Sequence, residues 1–165
     1  MTGITPLVFL SLWVSLACAL FIPAPVMERQ SNETCGDPLE AVPYYRTYSS
    51  SKARVVGLVF VTQAASIVPF YRLQSGSHRF YTISTTERDN AIASGYVLYT
   101  AEPVVYIYPT QICGSVPLYR LYKPAVQDTV YTASESERLE FISSQGYEDV
   151  EIAGYLLPLD NTQCT

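Results

Sequence analysis

The sequence predicts a β-rich α+β domain of tandem strand-strand-helix-strand-strand repeats, two complete and one truncated, packed as one domain. Three observations predict it. The stretch "VPLYRLY" at 116–122 recurs as "VPFYRLQ" at 68–74 and as "VPYYRTY" at 42–48. After the occurrences at 68–74 and 116–122 come a short aromatic segment, an S-x-x-E signal and a Gly-Tyr pair, at a spacing that marks stacked or ring-closed units. The chain of 165 residues is 48% hydrophobic with 14 tyrosines and only 15% charged residues, the opposite of a disordered composition.

Residues 1–19 read as a secretory signal peptide. The run "ITPLVFLSLWVSLACALFI" is apolar, Ala17-Cys18-Ala19 is a small-x-small cleavage site, and Pro23 and Pro25 follow at once. A membrane anchor is the competing reading, but the run barely spans a hydrocarbon core of about 30 Å and no basic flank follows it. A lipoprotein signal ending at Cys18 ranks lower, because Ser15 stands where that motif wants an aliphatic residue. Residues 20–34 are expected to be a flexible mature N-terminus, glycosylated at Asn32 in the sequon Asn32-Glu33-Thr34. The repeat domain is expected over 35–165. Cys35, Cys113 and Cys164 outlast cleavage, so one disulfide forms and one thiol is left over. Three pairings are open; a Cys35–Cys164 link would join the two ends of the domain.

The units run over about 41–66, 67–114 and 115–164. Pro69-Phe70-Tyr71-Arg72-Leu73 corresponds to Pro117-Leu118-Tyr119-Arg120-Leu121, Phe80-Tyr81-Thr82 to Val130-Tyr131-Thr132, Glu87-Arg88 to Glu137-Arg138, and Gly95-Tyr96 to Gly146-Tyr147. Tyr106 and Pro109 match Tyr155 and Pro158. The first strand of each unit is rich in β-formers, with Pro at its tolerated starting position. Ser84-x-x-Glu87 and Ser134-x-x-Glu137 are capping boxes, in which Glu is expected to return to the cap's own N–H. The helices follow through "ERDNAIAS" and "ERLEFISS" and stop near Gly95 and Gly146. Two further strands close each unit. The first unit passes from Pro43-Tyr44-Tyr45-Arg46 almost directly to "GLVFVTQ" at 57–63 and lacks the aromatic strand, the helix and the Gly-Tyr pair.

As a set, the motifs VP(L/F)YRL, (F/V)YT, S-x-x-ER and GY resemble a tyrosine-rich repeat family of unknown function, found in small secreted proteins, many fungal, and beside catalytic domains of bacterial cell-wall hydrolases. The resemblance covers residues 35–164. It implies a secreted non-catalytic module that attaches to glycan or cell wall. The family usually carries Asp-His ahead of Phe-Tyr-Thr. Here those pairs are His78-Arg79 and Asp128-Thr129, so neither copy keeps both residues.

The residues argue against several classes of function. A net charge of −5 with scattered arginines provides no phosphate-neutralising stripe, so nucleic acid and anionic membranes are not expected partners. His78 is the only histidine, and no nucleophile motif, phosphate loop or zinc spacing accompanies it. Glu87 and Glu137 recur as caps rather than as a catalytic pair. No enzyme activity, cofactor or metal is expected. Tyr faces with neighbouring guanidinium donors suit sugar rings. The candidate ligand-binding residues are Tyr71, Arg72, His78, Tyr81, Tyr119, Arg120, Asp128 and Tyr131. A structural role competes at each, with the arginines paired to Glu87 or Glu137 or stacked on tyrosine. The expected function is a secreted, non-enzymatic module for extracellular carbohydrate or cell-wall material, without stable membrane association after signal cleavage. A structural or protein-interacting secreted protein is the alternative, and a hydrolase the third reading.

Overall fold

The computed structural model describes residues 35–49, 52–100 and 105–159. The expected signal peptide, the flexible segment 20–34 with Asn32, and Cys164 lie outside the described residues. The domain is β-rich α+β, with two sheets and two α-helices among the described residues. Its elements fall into three successive segments. The first is a hairpin of β1 (Ala41–Ser49) and β2 (Lys52–Phe60). The second holds β3 (Val68–Ser75), β4 (His78–Thr82), α1 (Thr85–Ala93), β5 (Val97–Leu98) and β6 (Val105–Ile107). The third holds β7 (Val116–Lys123), β8 (Asp128–Thr132), α2 (Glu135–Gln145) and β9 (Glu148–Leu156). The two closing strands expected of the third segment are thus one strand, β9, with register shifts opposite Leu118/Tyr119 and Arg120/Leu121. β5 and β6 take the same places on β3 that the two halves of β9 take on β7.

All three segments pair their opening and closing strands in one register. Pro43 faces Leu58, Pro69 faces Tyr106 and Pro117 faces Tyr155. The second strand also repeats its register, with Arg72 opposite Tyr81 and Arg120 opposite Tyr131. In the first segment β1 lies at the sheet edge, because the strand equivalent to β4 and β8 is absent.

The closing strands then pair with one another in a cycle. Phe60 pairs with Tyr106, Tyr108 with Tyr155, and Leu157 with Leu58. The last two contacts are reciprocal backbone hydrogen bonds of 2.8–3.1 Å. Equivalent residues therefore meet in layers. Val59, Ile107 and Leu156 share one buried cluster with Phe70 and Leu118, and Phe60, Tyr108 and Leu157 share the next. Gly57 and Gly154 mark the closest approaches of neighbouring closing strands. A Cβ on Gly57 would sit 2.2 Å from Leu156 Cδ1 and 2.8 Å from the Leu157 carbonyl oxygen, and one on Gly154 would sit 2.4 Å from Ile107 Cδ1. Away from the centre, Leu121, Val130 and Phe141 bury the inner side of α2, with Tyr147 packed against them.

The helix starts differ from the expected capping boxes in one respect. Ser84 and Ser134 Oγ accept the N–H of Glu87 and Glu137 at 3.2 and 3.3 Å. The N–H of each cap serine, however, donates to the hydroxyl of Thr82 or Thr132, at 3.0 and 3.1 Å. A buried threonine two residues upstream already satisfies that donor, which leaves both glutamates available for other bonds. Gly146 ends α2 in the left-handed region (φ 71°), as expected.

Cys35 is bonded to Cys113 across a Cα–Cα distance of 5.7 Å, so the end-to-end Cys35–Cys164 link is not formed. The bridge closes a loop of 78 residues and is worth about 4–5 kcal/mol in the chain-entropy picture. Beside it, the hydroxyl of the buried Tyr108 accepts the Gly36 N–H at 3.1 Å.

Candidate functional site

Arg46, Arg72 and Arg120 occupy equivalent places on β1, β3 and β7. Arg120 forms a bidentate pair with Glu87 (2.8 and 3.2 Å) and also reaches Glu151 at 3.2 Å. Arg46 binds Glu137 at 2.6 Å and the Tyr131 carbonyl oxygen at 2.7 Å. Glu137 further accepts from Arg54 at 3.0 Å and from the Thr132 hydroxyl at 2.5 Å. Each pair links segments. The third segment's arginine meets the α1 glutamate, and the first segment's arginine meets the α2 glutamate. The first segment, a hairpin, has no helix to offer at the remaining junction, and there Arg72 lies over the Tyr99 ring, 4.0 Å from its centre. For Glu87, burial pushes the pKa up, but the bonds from Arg120 and Thr82 outweigh it and hold the carboxyl below its ordinary value.

The other recurring arginines cover strand tyrosines. Arg88 lies 4.6 Å over Tyr71, and Arg138 lies 4.9 Å over Tyr119 while also pairing with Glu135 and Asp149. At the centre, the Tyr131 hydroxyl donates to the Tyr81 carbonyl (2.9 Å) and accepts the Tyr81 N–H (2.6 Å). Burial raises the Tyr131 pKa well above that of a free phenol, so this hydroxyl keeps its proton.

Two clefts open at the junction beside the hairpin and share Tyr44, Tyr45, Arg72 and Tyr81. One, of about 410 Å³, is mainly aromatic: Phe70, Tyr71 and Tyr99 line it too, beside Leu98 and Val105. The other, of about 470 Å³, is polar: Arg46, His78, Arg79, Asp128 and Tyr131 are among its further lining residues. Tyr45, common to both, is 58% exposed.

His78 and Asp128 occupy equivalent positions and hold equivalent tyrosines. His78 Nδ1 is 2.8 Å from the Tyr96 hydroxyl, and the Tyr147 hydroxyl donates to Asp128 at 2.5 Å. His78 Nε2 lies 2.9 Å from Thr129 Oγ1; in the neutral imidazole one ring nitrogen donates to its hydroxyl partner and the other accepts. Burial lowers the His78 pKa below its ordinary value; Asp128 opposes this and Arg120 reinforces it. Its place as a connector between β4 and β8 absorbs both nitrogens in hydrogen bonds.

Of the sequence-predicted residues, Arg72, His78, Tyr81, Asp128 and Tyr131 meet at the polar cleft, and Tyr71 joins Arg72 and Tyr81 at the aromatic one. Arg120 lies elsewhere, in a smaller cleft beside Glu87, and Tyr119 lies under Arg138. The sequence reading missed Tyr44, Tyr45, Arg79 and Tyr99. Tyr44 and Tyr45 stand in the first "PYYR" motif and could have been found by treating the shortened unit as equal to the others.

The family described as a domain of unknown function (DUF5648) matches residues 41–157. The chain belongs to that family. No curated protein and no solved structure matches it. The DUF5648 match begins at the first residue of β1 and ends just past β9, so it takes in the hairpin, both helices and the whole cycle of closing strands. Both clefts lie within the DUF5648 domain. Among its described residues no His/Cys/Asp/Glu group is placed to hold a metal ion, and no helix is long and apolar enough to cross a membrane.

Proposed function

We propose that this chain is a secreted, non-catalytic carbohydrate-binding module built from three homologous units, the first of them shortened, and that it is kin to the tyrosine-rich secreted repeats its motifs resemble. Its site is the paired cleft that opens where the first unit lacks a strand and helix. The observation that carries this reading is the convergence of Tyr44, Tyr45, Tyr71, Tyr81 and Tyr99 on one concave surface, with Tyr45 largely exposed. Tyrosine rings offer apolar faces to the C–H faces of a sugar and polar edges to its hydroxyls. Support for a non-catalytic role comes from the acids that a hydrolase would need. Glu87 and Glu137 are engaged by arginines, and Asp128 takes the Tyr147 hydroxyl. The Cys35–Cys113 disulfide supports an oxidising compartment.

The test is retention of the purified protein on chitin, β-glucan and peptidoglycan, together with a glycan array. Binding should appear for at least one glycan class and be lost in Tyr45→Ala at unchanged melting temperature. No retention on any matrix and no array signal would sink the reading.

A further inference from the structure

A smaller cleft of about 240 Å³ opens where the second segment meets the third, and His78 and Thr129 line both it and the polar cleft. The hydrogen bond between His78 Nε2 and Thr129 Oγ1 is thus the boundary at which the two clefts meet. We propose that this small cleft is a further subsite for the same glycan, taking one sugar ring next to those held in the paired cleft, an inference that rests on the carbohydrate-binding reading.

Phe80 and Tyr122 flank the His78 ring at centroid distances of 6.1 and 5.8 Å, and Val150, 45% exposed, adds an aliphatic edge. Such a wall suits the C–H face of a pyranose. Glu87 and Arg120 line the same cleft and are held to each other by two hydrogen bonds. An ionised carboxylate has about four acceptor positions, so Glu87 can take a sugar hydroxyl while it keeps Arg120. Because the two segments already fix this pair, a ligand would have little to order on arrival. The volume admits a single ring rather than a chain. At the equivalent junction of the third and first segments, Asp128 and Val130 replace His78 and Phe80, so this aromatic wall is not repeated there.

The experiment titrates the purified protein with soluble oligomers of two to six sugars cut from chitin, β-glucan and peptidoglycan. Within the class that binds, affinity should rise by about tenfold or more from the shortest oligomer to the longest. Tyr122→Ala and Val150→Trp, the second of which fills the cleft from its rim, should each erase most of that gain at unchanged melting temperature. Tyr45→Ala should weaken short and long oligomers alike. Val150 is nearly half exposed, so its variant decides the matter if Tyr122→Ala melts early. A length gain that survives Val150→Trp, or an affinity that does not rise with length, overturns the subsite while the carbohydrate reading stands. No binding of any oligomer by the wild type, with no array signal, overturns both.

Discussion

Among the described residues, two junctions of this molecule are closed by an arginine reaching a helix of another segment, while at the third the arginine lies over a tyrosine ring. Where the third segment meets the second, Arg120 takes Glu87; where the first meets the third, Arg46 takes Glu137. Where the second meets the first, Arg72 lies on Tyr99, and the clefts open around it. The arginines stand at the same register on equivalent strands. The difference therefore lies in what each junction has to set against its arginine, not in the strand that carries it. The same side chain that locks two junctions helps to build a concave surface at the third.

The largest expected effect comes from attacking the cycle on which all junctions depend. Gly57→Ala places a methyl group against the Leu157 carbonyl oxygen, and overpacking so close to backbone should cost about 3 kcal/mol. Chemical denaturation would read it, and a loss well under half of that would mean the closing strands separate easily. Next is Glu137→Ala. Its carboxylate, 17% exposed, neutralises the buried Arg46 and also takes Arg54 and Thr132, so removal should cost about 3 kcal/mol. Glu87 is about a third exposed, so Glu87→Ala should cost less, about 1–2 kcal/mol. If thermal melts rank these two the other way, the closed junctions do not differ as described.

The Glu87 contribution is also sensitive to acid. Its folded pKa is depressed, so the stabilisation is present above the ordinary carboxylate range and disappears as pH falls through the folded value. Between pH 5 and pH 3 the wild type should therefore lose more melting temperature than Glu87→Ala, and parallel curves would count against the pair. The smallest stability effect belongs to the open junction. Tyr45→Ala should change stability by less than about 0.5 kcal/mol, because the ring is mostly in solvent, while carbohydrate retention is lost. A large drop in melting temperature would recast Tyr45 as part of the packing.

Much of this arrangement was legible before any coordinates. The three opening strands, both helices, the serine caps and the glycine near each helix end follow from local pattern, because each depends on neighbours within a few residues. The expectation for Arg46, Arg72 and Arg120, a pair with Glu87 or Glu137 or a stack on tyrosine, is met by pairs at Arg46 and Arg120 and by the Tyr99 ring at Arg72. The reciprocal capping role of those glutamates was misread. Thr82 and Thr132 take the serine N–H, and the contest between a threonine and a glutamate for one donor turns on backbone geometry at the strand end. The fusion of the last two strands into β9 and the choice of Cys113 as partner for Cys35 depend on which segments become neighbours, which no local pattern encodes. The clefts escaped for the same reason: Tyr45 and Tyr99 are 54 residues apart and become one surface only when the second segment closes against the hairpin.

The reciprocal bridges between Leu58 and Leu157 have a consequence for how such a chain can vary. An open solenoid lengthens by adding modules at either end. Here the last closing strand already grips the first, so no docking place is left for a fourth. Insertions and deletions can be absorbed only in what hangs outside the triangle of closing strands, where the first segment has just a hairpin. Variation among molecules of this design would then fall on the periphery, while the triangle itself stays constant.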